Sequence, residues 1–148
     1  MRHRLYLHIS WTTRDREPTI TRDFVAFLAR FLPLIARQER AHVLAIGAVR
    51  THVHVVVRIN PATMLPRLLQ RWKGGSSLIG ARDGLGGSEP IRWAKGSDLE
   101  SVSPRALGAA IEYVKRQSRR HPAEAIAGLE EVGIETIGAD AATSPSAT

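Results

Sequence analysis

The stretch Thr51-His52-Val53-His54-Val55-Val56-Val57-Arg58-Ile59 carries two imidazoles on a run that is otherwise almost entirely β-branched. Such a run favours a strand. Alternate residues of a strand leave opposite faces, so His52 and His54 share one face about 7 Å apart. Val53, Val55, Val57 and Ile59 share the other face and form a ridge fit for a core. Two imidazoles at that spacing can close on one metal ion. They can equally be polar residues on a half-exposed strand. The second candidate group is Tyr113-x-x-x-Gln117. At i and i+4 of a helix the two side chains lie one above the other. They flank a Leu107/Ile111/Val114 stripe, so docking of that stripe beside the histidine face would aim both at the imidazoles. Taken singly, Tyr113 also reads as a boundary packing residue and Gln117 as a solvated one.

These groups need elements to hold them. Leu5–Thr12 alternates cleanly, with Leu5, Leu7, Ile9 and Trp11 on one face and Tyr6, His8, Ser10 and Thr12 on the other. This pattern predicts a strand with one buried side. Thr21 is a suitable N-cap for a helix over 22–40, in which Phe24, Phe27, Leu28, Phe31 and Ile35 form an apolar stripe. Pro33 inside that pattern is expected to kink or split the helix. A strand over 42–49 then turns tightly at Arg50-Thr51 into the histidine strand, predicting a hairpin. A second helix is expected from about Thr63, weakened at Gly74-Gly75, followed by a glycine-rich loop over 80–90, a short strand at 91–94 and a flexible turn over 95–101. Ser103-Pro104 opens a third helix, expected to run to about His121. A weaker helix is expected over 123–132.

The order βαββαβ points to an α+β fold, the ferredoxin-like split βαβ, with an antiparallel sheet and both helices on one face. Its first and third strands are central neighbours. Tyr6, His8, Ser10, His52 and His54 then share the open face, and the C-terminal helix with Tyr113 would lie over it.

The 148 residues fit one domain, expected over 1–135, with 136–148 as a disordered Ala/Thr/Ser/Pro-rich tail. The chain has no cysteine, which excludes disulfides and thiolate metal sites. No apolar run is long enough to span a bilayer, so no membrane association is expected, and Met1 to Tyr6 lacks the apolar region of a signal peptide. A cytoplasmic location is the corresponding expectation. Lys and Arg number 21 against 14 Asp and Glu, a net charge of +7 and pI near 11.0. That surplus favours a polyanionic partner, nucleic acid first. Arg67, Arg71, Lys73, Arg116, Arg119 and Arg120 are the expected phosphate contacts.

In order and spacing, Tyr6-Leu7-His8-Ile9-Ser10-Trp11, Thr51-His52-Val53-His54, Gln70-Arg71-Trp72-Lys73-Gly74-Gly75, Trp93-Ala94-Lys95-Gly96 and Tyr113-Val114-Lys115-Arg116-Gln117 resemble one family. It is the HUH single-tyrosine transposases of small bacterial insertion sequences, above all the REP-associated tyrosine transposases. The resemblance implies that His52, His54 and Gln117 are ligands of Mg²⁺ or Mn²⁺, and that Tyr113 is the nucleophile. It further implies cutting and rejoining of single-stranded or stem-loop DNA through a 5′-phosphotyrosine, by a homodimer in which the 95–101 turn lets one subunit's tyrosine helix complete the other's site. Thr51 departs from the family, whose members often carry an acidic residue there. Two other readings stay open: a domesticated hairpin-DNA-binding protein that does not cut, and a small zinc hydrolase with His8 as the third ligand.

Overall fold

The structure, a computed structural model, describes residues 4–129. Four strands, β1 (Leu5–Thr12), β2 (Ala41–Ala48), β3 (His52–Ile59) and β4 (Asp98–Val102), form one sheet in the order β2-β3-β1-β4. All neighbours are antiparallel, with β1 and β3 central. This is the ferredoxin-like order expected from the sequence. Its helices are α1 (Arg22–Gln38) and α2 (Leu65–Arg82) on one face, and α3 (Leu107–Lys115) with the short α4 (Gln117–Arg120) on the other. No helix of the described residues is long and apolar enough to cross a membrane.

The valine ridge of β3 and the Ile9/Trp11 face of β1 are buried under α1 and α2. Phe24, Leu28 and Leu32 of α1 and Leu68 and Trp72 of α2 complete that core, each fully buried. The Trp72 indole nitrogen donates to the Leu32 carbonyl at 3.0 Å and ties the two helices together. Thr21 caps α1 as expected, accepting from the Phe24 amide at 3.1 Å.

Several expectations of the local sequence are corrected. Pro33 does not split α1, which is continuous from Arg22 to Gln38. Gly74-Gly75, expected to weaken α2, lies within it, and the helix runs on to Arg82, inside the expected loop. A Cβ on Gly75 would stand 2.7 Å from Phe31 Cζ, and one on Gly80 2.8 Å from Phe24 Cε1, so these glycines admit the aromatic stripe of α1. The fourth strand is not 91–94. There, only Trp93 bridges to Thr13 while Ile91 enters the core. The strand lies at Asp98–Val102, overlapping the segment expected to be a flexible turn, because that segment pairs with the free edge of β1 from Tyr6 to Ser10. The third helix is not continuous: α3 ends at Lys115 and α4 starts at Gln117. Past His121 a single 3-10 turn, Pro122–Glu124, replaces the described part of the expected weak helix. The rest of that helix and the tail at 136–148 lie outside the described residues.

Candidate functional site

Pairing of β1 with β3 sets Ser10 opposite His54 and Thr12 opposite His52. Directly opposed residues share a face, so the two histidines stand on the sheet face away from α1 and α2. His8, diagonal to His54, brings its Nε2 to 2.8 Å from His54 Nδ1. The His52 and His54 rings lie 5.0 Å apart, edge to face.

The face is open only until α3 covers it. Val114 of α3 is fully buried, and its carbonyl passes over Gly47 of β2, the residue opposite His54. A Cβ at Gly47 would stand 1.7 Å from that oxygen. Seated there, α3 turns Tyr113 edge-on to His54 at 5.8 Å and to His8 at 5.7 Å. The Arg120 guanidinium lies over the Tyr113 ring, 4.4 Å from its centre, a cation–π contact.

The break between α3 and α4 places Gln117. Its amide nitrogen donates to the Tyr113 carbonyl at 3.0 Å, which aims its Oε1 at His52 Nε2, 3.4 Å away. Gln117 is 1% exposed, so this orientation is held by packing as well as by the hydrogen bond. The imidazole of His121 meets His52 edge to face at 5.0 Å. A cavity of about 330 Å³ opens beside these groups, lined also by Arg16, Lys95 and Asp98. Asp15 and Arg16 both hold left-handed backbone conformations, φ 54° and 53°, of the kind that collects at functional sites.

Burial, then the nearby imidazoles and Arg120, push His54 down to about 3. Burial also lowers His8 and His52. Near neutral pH the three imidazoles are therefore uncharged, the state in which a ring nitrogen keeps a lone pair for a cation. Among the described residues, no group of three or more His, Cys, Asp or Glu side chains is placed to hold a metal ion. The donors that converge are two imidazoles, of the kind that suits Zn²⁺ and other transition ions, and a carboxamide oxygen, of the kind that suits Mg²⁺ or Mn²⁺, with no thiolate among them. His8, which a zinc-hydrolase reading needs as third ligand, shares its Nε2 with His54 Nδ1, so each of the two rings keeps one other nitrogen.

His52, His54, Tyr113, Gln117 and Arg120 are thus brought together. The other sequence candidates are elsewhere. Arg67 and Arg71 of α2 lie in the opposite helix layer, both bonded to Glu39 Oε2, at 2.9 and 2.7 Å. Lys73 Nζ donates to the carbonyls of Ala94 (2.9 Å) and Gly96 (2.5 Å), behind the loop that rims the cavity. Arg116 and Arg119 are exposed beside the site, Arg116 3.3 Å from Glu112 Oε1. Sequence reasoning missed His121, readable as a further imidazole four residues past Gln117. It also missed Glu124, which no local pattern marks.

The sequence pattern of the family described as IS200-like transposases matches residues 1–117. A comparison with curated proteins finds no match. Several solved structures are similar, two of them as follows. One is a candidate transposase of Deinococcus radiodurans R1, with TM-score 0.63 and 20% identity over 79% of this chain and 93% of that one. The other is a REP-associated tyrosine transposase bound to a REP hairpin, with TM-score 0.63 and 10% identity over 82% of this chain and 72% of that one. At these identities the two structures speak for the fold.

Proposed function

The chain belongs to the IS200-like transposase family, and from that premise we propose that it cuts and rejoins single-stranded, stem-loop DNA with Tyr113 as the nucleophile. One observation carries the reading. A phenol and two neutral imidazoles line one cavity, and an oriented carboxamide meets one of the imidazoles, the groups coming from β3 and from the α3–α4 stretch. His52, His54 and Gln117 would hold Mg²⁺ or Mn²⁺. When bound, the ion supplies charge to polarise and position the scissile phosphate.

In this reading the Tyr113 oxygen attacks the phosphorus and the bond to the 3′-oxygen breaks. The products are a 5′-phosphotyrosine and a free 3′-hydroxyl, and in net the phenol proton passes to the released oxygen. A 3′-hydroxyl can reverse the step, so joining needs no nucleotide cofactor. Arg120, stacked on the phenol ring, brings a fixed positive charge to the place where the phosphate must approach. Arg16 and Lys95 do the same at the cavity wall. Arg67 and Arg71, in the opposite layer, would serve the flanking DNA; the overall charge of +7 supplies the long-range attraction.

Incubation with a stem-loop oligonucleotide and Mn²⁺ should trap a denaturant-stable adduct on the 5′ side of the break. Tyr113→Phe should abolish the adduct and keep binding, while Tyr6→Phe should leave it. Continued cleavage by Tyr113→Phe would sink the proposal. Binding without cleavage by either form would select the hairpin-binding reading. A homodimer is part of the proposal, and sedimentation with and without DNA tests it. Tyr113 already stands beside His54 of its own chain, and β4 occupies much of the connector that an exchange of helices would need to stretch.

A further inference from the structure

Resting on that reading, we propose that Glu124 is a positioning residue for His52, acting through the hydroxyl of Thr51. Thr51 is 4% exposed. Its Oγ1 lies 2.8 Å from Glu124 Oε1 and 3.0 Å from His52 Nδ1. An ionised carboxylate only accepts hydrogen bonds, and a hydroxyl has one proton. The Thr51 proton therefore goes to Glu124, and the Thr51 lone pair accepts from His52 Nδ1–H. The second carboxylate oxygen stands 4.0 Å from the same Nδ1.

This relay selects the tautomer. With the proton on Nδ1, the Nε2 lone pair of His52 faces Gln117 Oε1 at 3.4 Å. The Gln117 amide cannot turn its NH₂ toward His52 without giving up the Tyr113 carbonyl. Two buried acceptors then face each other, an arrangement that is costly when empty and favourable around a cation. Without the relay, Nε2–H would bond to Gln117 and the pair would be satisfied with no ion.

The carboxylate also stands 3.9 Å from His121 Nδ1 through its Oε2, and the backbone of its turn is anchored outside the histidine face. The Arg50 amide donates to the Glu124 carbonyl at 2.8 Å, which fastens the Pro122–Glu124 turn to the β2–β3 hairpin. Thr51 and Glu124 are 73 residues apart, and Glu124 falls beyond the residues that match the family, 1–117. The chain thus carries a threonine directly before its His-x-His strand and fetches the negative charge from its C-terminal turn.

The test is ¹⁵N NMR of the histidine rings in the metal-free, DNA-free protein, with Mn²⁺ affinity read by calorimetry. Wild type and Thr51→Ser should show His52 as the Nδ1–H tautomer. Glu124→Ala and Thr51→Val should move it toward Nε2–H and weaken Mn²⁺ roughly 10–100-fold, the usual effect of losing a carboxylate behind a metal-bound histidine. Glu124→Gln, whose amide oxygen can still accept from Thr51, should keep the tautomer and weaken Mn²⁺ less. A purely structural Glu124 would lower the melting temperature and leave the tautomer of the folded protein unchanged, and that result overturns the proposal. The tautomer requires neither DNA nor cleavage. A relay that responds in a protein that never forms a Tyr113 adduct would leave this inference standing and remove the cleavage reading.

Discussion

Gly47→Ala is the smallest change that should unseat the nucleophile without replacing any residue of the site. Gly47 lies opposite His54, on the face that α3 covers. An added Cβ would meet the Val114 carbonyl oxygen at 1.7 Å, its carbon at 2.8 Å and Gln117 Cγ at 3.1 Å. Cβ atoms essentially never approach a heavy atom closer than 3.0 Å, so the deficit is about 1.3 Å against backbone, which cannot rotate away. Either α3 retreats by that distance or it leaves the sheet. Overpacking of this kind costs ~1–3 kcal/mol. Uncovering Val114, now fully buried, costs ~1.5–3 kcal/mol. The cheaper route caps the loss, so a decrease of about 1–3 kcal/mol is expected in urea unfolding, with α1, α2 and the sheet intact. Hydrogen exchange should quicken over Val114 to Gln117 before anywhere in β3. Because a displacement of ~1 Å in a catalytic group costs on the order of 100-fold in rate, the Tyr113 adduct should form about 100 times more slowly. Gly108→Ala is the control, since a Cβ there meets nothing within 4 Å. Wild-type exchange protection and adduct rate in Gly47→Ala would refute the claim that this contact seats the helix.

Two neighbouring glycines of α2 should respond with opposite sign in thermal or urea unfolding. Gly74→Ala meets nothing within 4 Å and should stabilise by ~0.5–1 kcal/mol through helix propensity, whereas Gly75→Ala meets Phe31 Cζ at 2.7 Å and should destabilise by ~1 kcal/mol. Acid should weaken the metal-free protein. His54 ionises near 6.5 when unfolded but only at about 3 when folded, so its contribution is complete above about pH 6.5 and is lost as pH falls toward 3, with a slope of up to ~1.4 kcal/mol per pH unit. His54→Asn should flatten that slope, and an unchanged slope would show that the burial of His54 is not what acid attacks.

Much of this architecture was written locally. Alternation along Leu5–Thr12 and His52–Ile59 determined two strands, their buried faces and the fact that His52 and His54 share a side, because the period of a strand is a property of the backbone alone. Thr21 and Ser103 marked helix starts because a side-chain oxygen can cap an amide only two or three residues away. The order of elements was enough to place β1 and β3 at the centre of the sheet.

What stayed hidden was decided by partners distant in the chain. Residues 91–94 have the better strand composition, yet Asp98–Val102 is the fourth strand, because a strand at an edge is chosen by whichever segment reaches the free amides and carbonyls of β1. Gly74-Gly75 reads as a helix breaker in isolation, and the phenylalanines of α1 turn it into a packing surface. The helix after Ser103 breaks at Arg116, where Gln117 spends its side chain on the Tyr113 carbonyl and so comes to face His52. Glu124 carries no local sign of its role. It meets Thr51 only because the turn after α4 is fastened to Arg50, and a contact across 73 residues leaves no periodicity for a sequence to display.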